Sequence, residues 1–218
     1  MIDLHTHTTF SDGEVIPAET ARRAQAAGYA AMAFTDHADA SNLAHILESI
    51  SKVARRYSPF AGLDLFSGVE ITHVPPGLIG ETAELARSLG AELVVVHGET
   101  IAEPVEIGTN LAAIEARVDI LAHPGLISAV EAELAARNGV FLEITTRRGH
   151  SLTNGHVVAM ARQTGARLVI NNDAHAPGDF VSRELRRRIA LGAGLSEEEY
   201  LAAEANSREI VGRLLKKG

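Results

Sequence analysis

Short apolar runs alternate along the chain with longer amphipathic, alanine-rich stretches. The runs Ile2–His5, Ala31–Thr35, Leu63–Glu70, Glu92–His97, Val118–Ala122, Val140–Ile144 and Arg167–Asn171 read as strands. Between them the spacing predicts helices over Pro17–Ala27, Asp39–Tyr57, Ile79–Leu89, Val105–Ala116, Ser128–Asn138, Thr153–Thr164 and Asp179–Leu191. Pro17 suits a first helical turn, and Gly28, Gly90, Gly139 and Gly165 each stand where a helix pattern gives way to the next strand. The tail predicts two more helices, Ser196–Ala205 and Ser207–Lys217, the first opening on the capping-box pattern Ser-Glu-Glu-Glu.

A βαβα order implies a parallel sheet covered by helices, either open and doubly wound or closed into a barrel. The polar residues decide between these. Chemically versatile side chains follow nearly every strand, and in an open sheet the outermost would be too far apart to meet. Closure brings all C-terminal strand ends onto one rim. The expectation is an α/β barrel of seven βα units in a single domain over residues 1–218, with 195–218 a C-terminal helical extension of it.

With 218 residues and 46% hydrophobic content, the chain can bury one large core. A formal charge of -8 disfavours a broad grip on nucleic acid or on an anionic membrane. A small anionic substrate remains compatible, because bound cations dominate the local field of a site. Cysteine is absent, which removes disulfides and thiolate metal sites. The N-terminus lacks the features of a signal peptide, and no apolar run approaches the ~20 residues that span a bilayer. The expected location is cytoplasmic, with no membrane partner.

The polar residues at the strand ends are mostly histidines and carboxylates. His5 and His7 follow the first strand, two apart and so on the same side of an extended chain. Asp12 follows in a turn. His37, Glu70, His97, His123 and the Asp173/His175 pair mark later strand ends. A lone His-x-His is weak evidence and reads more readily as strand-edge polarity. Its recurrence at matching positions points to a set of divalent-metal ligands.

The ordered segments His5-Thr-His7-Thr-Thr-Phe-Ser-Asp12-Gly, Thr35-Asp36-His37, Gly68-Val69-Glu70, Val96-His97-Gly98, Ala122-His123-Pro124 and Asn172-Asp173-Ala174-His175 resemble the motifs of the PHP (polymerase and histidinol phosphatase) superfamily. The resemblance implies a distorted, TIM-like seven-stranded barrel with a two- or three-metal centre of zinc, manganese or iron. It implies His5, His7, Glu70 and Asp173 around one ion, and Asp12, His37 and His175 around a second. His97 and His123 would serve a third, with Glu70 bridging. Aspartate at position 12 tilts its site from zinc toward manganese or iron.

A stand-alone, histidinol-phosphatase-like phosphomonoesterase follows as the leading expectation. Ions ~3.5–4 Å apart can share a hydroxide that attacks phosphorus. Asp173, His175 and His150 are the candidates for direct participation. Arg147 and Arg148, after the Phe141-Leu-Glu-Ile strand, are either solvated or phosphate ligands, and arginine's planar fork suits phosphate. His73 is a candidate substrate contact. Asp36 reads as an imidazole-orienting or a structural group, and Glu143 as a support behind the ligands. His45 and His156 read as packing or surface residues, and the Arg183–Arg188 run as a solvated helix face.

The alternative is a phosphodiesterase or nuclease, with nucleic acid entering only as substrate. A non-catalytic accessory module is a third reading. A carbon–nitrogen hydrolase would call for a lysine at a strand end, and Lys52, Lys216 and Lys217 are not so placed.

Overall fold

The computed structural model, which describes residues 1–216, contains one parallel sheet of eight strands. These are β1 (Ile2–Asp3), β2 (Ala31–Phe34), β3 (His37–Ala38), β4 (Asp64–Ile71), β5 (Leu93–His97), β6 (Ile120–Ala122), β7 (Phe141–Thr145) and β8 (Leu168–Asn171). β2 and β3 both pair with β4, Phe34 opposite Ser67 and His37 opposite Glu70, so β3 continues β2 after a break at Thr35-Asp36. The eight strands therefore occupy the seven positions expected. Each position neighbours the next in chain order, as a barrel requires.

The barrel is nearly closed. Thr6 bridges Ala174, and His7 N donates to the Ala174 carbonyl at 2.8 Å. Below this point side chains take over the seam. Leu4 N donates to Asn171 Oδ1 at 2.9 Å, and Asn172 donates from its backbone N and its Nδ2 to the Asp3 carboxylate at 3.0 and 2.6 Å.

Helices α1 (Pro17–Ala26), α2 (Leu43–Ala61), α3 (Pro76–Ser88), α4 (Thr109–Glu115), α5 (Ala129–Asn138), α6 (Asn154–Thr164), α7 (Arg183–Gly192) and α8 (Glu197–Leu214) accompany the sheet. Strand alternation sorts the core into two layers. In β5, Val94 and Val96 join the core shared with the helices, while Leu93 and Val95 join a separate inner cluster. That cluster includes Phe66 and Phe141, and Ile210, Val211 and Leu214 of α8 complete it at the lower end. By the same parity Glu70 lies above Phe66, His97 above Leu93 and Glu143 above Phe141. The inward face of each strand thus passes from apolar below to ionisable at the mouth.

Several helix expectations need correction. α2 starts at Leu43 instead of Asp39, because the Asp39 carboxylate accepts from Ser41 N at 2.7 Å and forms a turn of its own. α4 starts at Thr109 instead of Val105, after a loop whose Glu99 carboxylate accepts from Gly108 N and Asn110 N, each at 2.9 Å. The two tail helices are one. Ser207, expected to open the second, lies inside a continuous helix, where it is buried and its hydroxyl donates to the Ala203 carbonyl one turn back. The expected end of the second helix at Lys217 lies outside the described residues.

The Arg183–Arg188 run is not uniformly solvated either. Arg186 is fully buried, its Nε donating to Glu204 Oε1 of α8 at 2.7 Å. Its Nη2 donates to the carbonyls of Ile2 and Ile170, one from each strand of the seam. Among the described residues, no helix is long and apolar enough to cross a membrane.

Candidate metal centre

All nine expected ligands converge at the C-terminal mouth of the barrel. His5 Nε2 lies 3.2 Å from Glu70 Oε1 and 3.7 Å from Asp173 Oδ1. His7 Nε2 lies 3.2 Å from the same Asp173 oxygen. His123 Nε2 stands 3.5 Å from Glu70 Oε1 and 3.6 Å from Asp173 Oδ2. Asp12 Oδ1 faces His175 Nε2 at 3.1 Å and His37 Nε2 at 3.5 Å. Two of these candidates reach inward on unusual backbone, Asp173 at φ 52° and His123 at φ 27°. Left-handed non-glycine residues carry strain that functional sites commonly retain.

Among the described residues, candidate ligand atoms fall into four groups: His7, Asp12, His37 and His175; His5, His7 and Glu70; His5, His123 and Asp173; and His97, His123 and His150. This partition differs from the implied one. His7 also belongs with the Asp12 group, His123 with His5 and Asp173, and His150 with His97 and His123.

The donor set fits cations. His5 Nε2, both nitrogens of His7, Glu70 Oε1, His123 Nδ1 and Asp173 Oδ1 are buried and make no hydrogen bond among the described residues. Leaving one such group unpaired costs about 1–3 kcal/mol. Six in one pocket constitute a strong demand for positive charge.

Supporting groups set the tautomers. Glu143 Oε2 sits 2.8 Å from His5 Nδ1 and accepts from Asn171 Nδ2 at 2.9 Å. His175 Nδ1 lies 3.0 Å from the Asp173 carbonyl, and His97 Nδ1 lies 3.1 Å from the Gly98 carbonyl. Each of these oxygens accepts a proton on Nδ1, which leaves the Nε2 lone pair for the pocket. Asp36 instead accepts from Thr8 N at 2.7 Å and from Ser11 Oγ at 2.9 Å, fixing the turn that presents Asp12.

The electrostatics are polarised. Burial opposes the ionised form of Glu70, yet His5 and His37 outweigh it and hold the carboxyl well below its usual range. Burial raises Asp173. Burial also disfavours charge on His5, but Glu143, Glu70 and Asp173 together push its pKa well above the ordinary value. Burial, His37 and His175 push His7 well below. Burial with His123 and His97 lowers His150 to about 3, and hydrogen bonding from His97 helps hold Glu103 at about 2.

Glu103 was not anticipated. Its carboxylate lies 3.2 Å from His97 Nε2 and 3.4 Å from each of His150 Nε2 and His73 Nε2. It stands in a loop after β5, where neither strand position nor periodicity marks it.

Of the two loop arginines, Arg147 enters the cleft lined by these candidate ligands. Its Nε lies 3.6 Å from Asp173 Oδ2, and its Nη1 donates to the Asp173 carbonyl at 3.3 Å. Arg148 is exposed and lines, together with Arg147, a neighbouring cavity of about 710 Å³ with Asn172, Val181 and Leu185. His73 is exposed at the rim, its ring 5.4 Å from that of His97.

Known proteins resemble this chain at three levels. A family model described as the PHP domain matches residues 3–97. Uncharacterized protein MJ1295 of Methanocaldococcus jannaschii is 49% identical over 199 residues, 90% of this chain and 91% of the relative. A protein described as a probable phosphatase in Thermoanaerobacter sp. strain X514 is 25% identical over 220 residues, 92% of this chain and 89% of the relative. The crystal structure of a histidinol phosphatase candidate, HisK, from Listeria monocytogenes superposes with a TM-score of 0.62 at 14% identity. It covers 82% of this chain and 97% of its own, a likeness of fold.

Proposed function

The chain belongs to the PHP domain family, and from that membership we propose that it is a metal-dependent phosphomonoesterase acting on a small phosphorylated metabolite such as histidinol phosphate. The observation that carries this reading is the pocket of unpartnered buried nitrogens and oxygens with the Arg147 guanidinium beside it. Two or three divalent ions of zinc, manganese or iron would supply Lewis acidity and a water acidified toward pKa ~7. His5, His7, Glu70 and Asp173 hold the deep positions, and Asp12, His37 and His175 the shallower one. Arg147, whose guanidinium lies beside Asp173, binds the phosphate oxygens and orients the ester for in-line displacement. Glu143 keeps the His5 lone pair aimed at the pocket.

The test loads the purified protein with Mn, Zn or Fe and offers phosphomonoesters including histidinol phosphate, an activated diester and a short single-stranded oligonucleotide. Phosphate release from monoesters is expected. Inertness across the panel overturns the proposal, and cleavage of the diester or oligonucleotide alone assigns a phosphodiesterase or nuclease instead. Loss of turnover in His7→Ala with the circular dichroism spectrum retained separates an enzyme from a non-catalytic module.

A further inference from the structure

We propose that Glu103 and His150 complete a third cation site together with His97 and His123. The inference rests on reading the centre as a divalent-metal site, and it extends the pair of histidines there to three imidazoles and a carboxylate. The His123 ring lies 4.5 Å from that of His97 and 4.3 Å from that of His150, centroid to centroid. One ligand atom from each of the three lies within 4.8 Å of the others. His123 Nδ1 is buried with no partner among the described residues. His97 Nδ1 lies 3.1 Å from the Gly98 carbonyl, which can only accept, and its Nε2 lies 3.2 Å from Glu103 Oε2. A cation bound between that nitrogen and that carboxylate would replace the proton they otherwise share. His150 is oriented from behind by Thr100, whose Oγ1 lies 2.8 Å from Nδ1, which leaves Nε2 toward the pocket and 3.4 Å from Glu103 Oε1.

The frame that carries these groups is built. The Glu99 carboxylate ties the start of the β5–α4 loop to its end at Gly108 and Asn110, and Asn110 Nδ2 donates to the Pro124 carbonyl at 2.9 Å. A side chain at Gly125 would place its Cβ 1.7 Å from the Glu99 carbonyl oxygen. The loops after β5 and β6 are therefore pressed together, and the loop bearing Glu103 is fixed against the strand end bearing His123. Three nitrogens and one oxygen are a ligand set that suits tetrahedral zinc.

The experiment titrates chelator-stripped full-length protein with Zn²⁺ and counts retained equivalents by elemental analysis after desalting. Wild type is expected to retain three. Glu103→Gln, on an exposed loop where folding is not at risk, and His150→Ala are each expected to retain two, with affinity for the third falling at least about tenfold. Three equivalents retained with unchanged affinity in both variants overturn the proposal and leave the hydrolase reading standing. A wild type that saturates at two does the same. A wild type that retains none overturns both.

Discussion

Oε2 of Glu143 lies 2.8 Å from Nδ1 of His5, and both side chains are fully buried at the floor of the barrel mouth. The contact makes a carboxylate with no solvent access the orienting partner of an imidazole whose other nitrogen makes no hydrogen bond among the described residues. Replacing Glu143 with Gln removes the charge and keeps the shape. Metal affinity is expected to fall by about 10–100-fold, the usual effect of losing such a support. Equilibrium dialysis with Zn²⁺ or Mn²⁺ checks it, and unchanged affinity refutes the role.

Arg147 and Arg148 are neighbours in sequence with different surroundings, since of the two only Arg147 lines the cleft with Asp173 and His175. A charge-assisted hydrogen bond to phosphate contributes about 1.5–3 kcal/mol, so Arg147→Ala should lower kcat/KM for a phosphomonoester by roughly 10–100-fold. Arg148→Ala should leave it within about threefold, as surface substitutions shift energies by only ~0.5 kcal/mol. Steady-state kinetics of both variants decide the matter, and equal losses would contradict the geometry.

Arg186 ties α7 to α8 and to both strands of the seam. Arg186→Leu strands the buried Glu204 carboxylate without its cation, at an expected cost of about 3–5 kcal/mol. Pairing it with Glu204→Leu should recover part of that loss, because replacing a buried ion pair by apolar groups is often tolerated. Urea unfolding of the single and double variants measures the difference.

In the absence of metal, neighbouring carboxylates raise the pKa of His5, His37 and His97. For His5 these are Glu143, Glu70 and Asp173; for His37, Glu70, Asp12 and Asp173; for His97, Glu103 and Glu70. A proton bound there competes with a cation and must leave on binding. Apparent affinity should therefore rise with pH between about pH 5 and pH 8. Calorimetric titration in buffers of different ionisation enthalpy should report net proton release, and a pH-independent affinity would count against these ligands.

Ile210 is fully buried in the inner cluster, whereas Leu201 of the same helix is 58% exposed. Ile210→Ala should destabilise by about 2–5 kcal/mol through lost burial and a residual cavity. Leu201→Ala should stay within ~0.5 kcal/mol. Thermal or denaturant unfolding distinguishes them.

The barrel and the converging strand ends were legible because one signal encodes both: an apolar run that stops on an imidazole or carboxylate marks a strand and its rim together. His97 after Leu93–Val96 is the clear case. Glu103 was illegible because its place depends on how Glu99 ties a loop to α4, a contact between residues that periodicity does not relate. Arg186 was misread because a run of arginines on a helix suggests solvent, and only packing against Glu204 of the next helix reveals the buried one. His150 was read as an acid candidate from its loop, while its proximity to His123 arises from the meeting of two separate strand ends.

The seam also imposes an order on maturation. His5 and His7 precede β8 by most of the barrel, yet the Asp173 oxygen they both face stands just after that strand. Until β8 is made, a nascent chain therefore carries only part of that polar cluster. On the proposed metal-centre reading, ion capture at the deep positions would complete assembly instead of nucleating it, and a product truncated before β8 would lack the Asp173 carboxylate needed there.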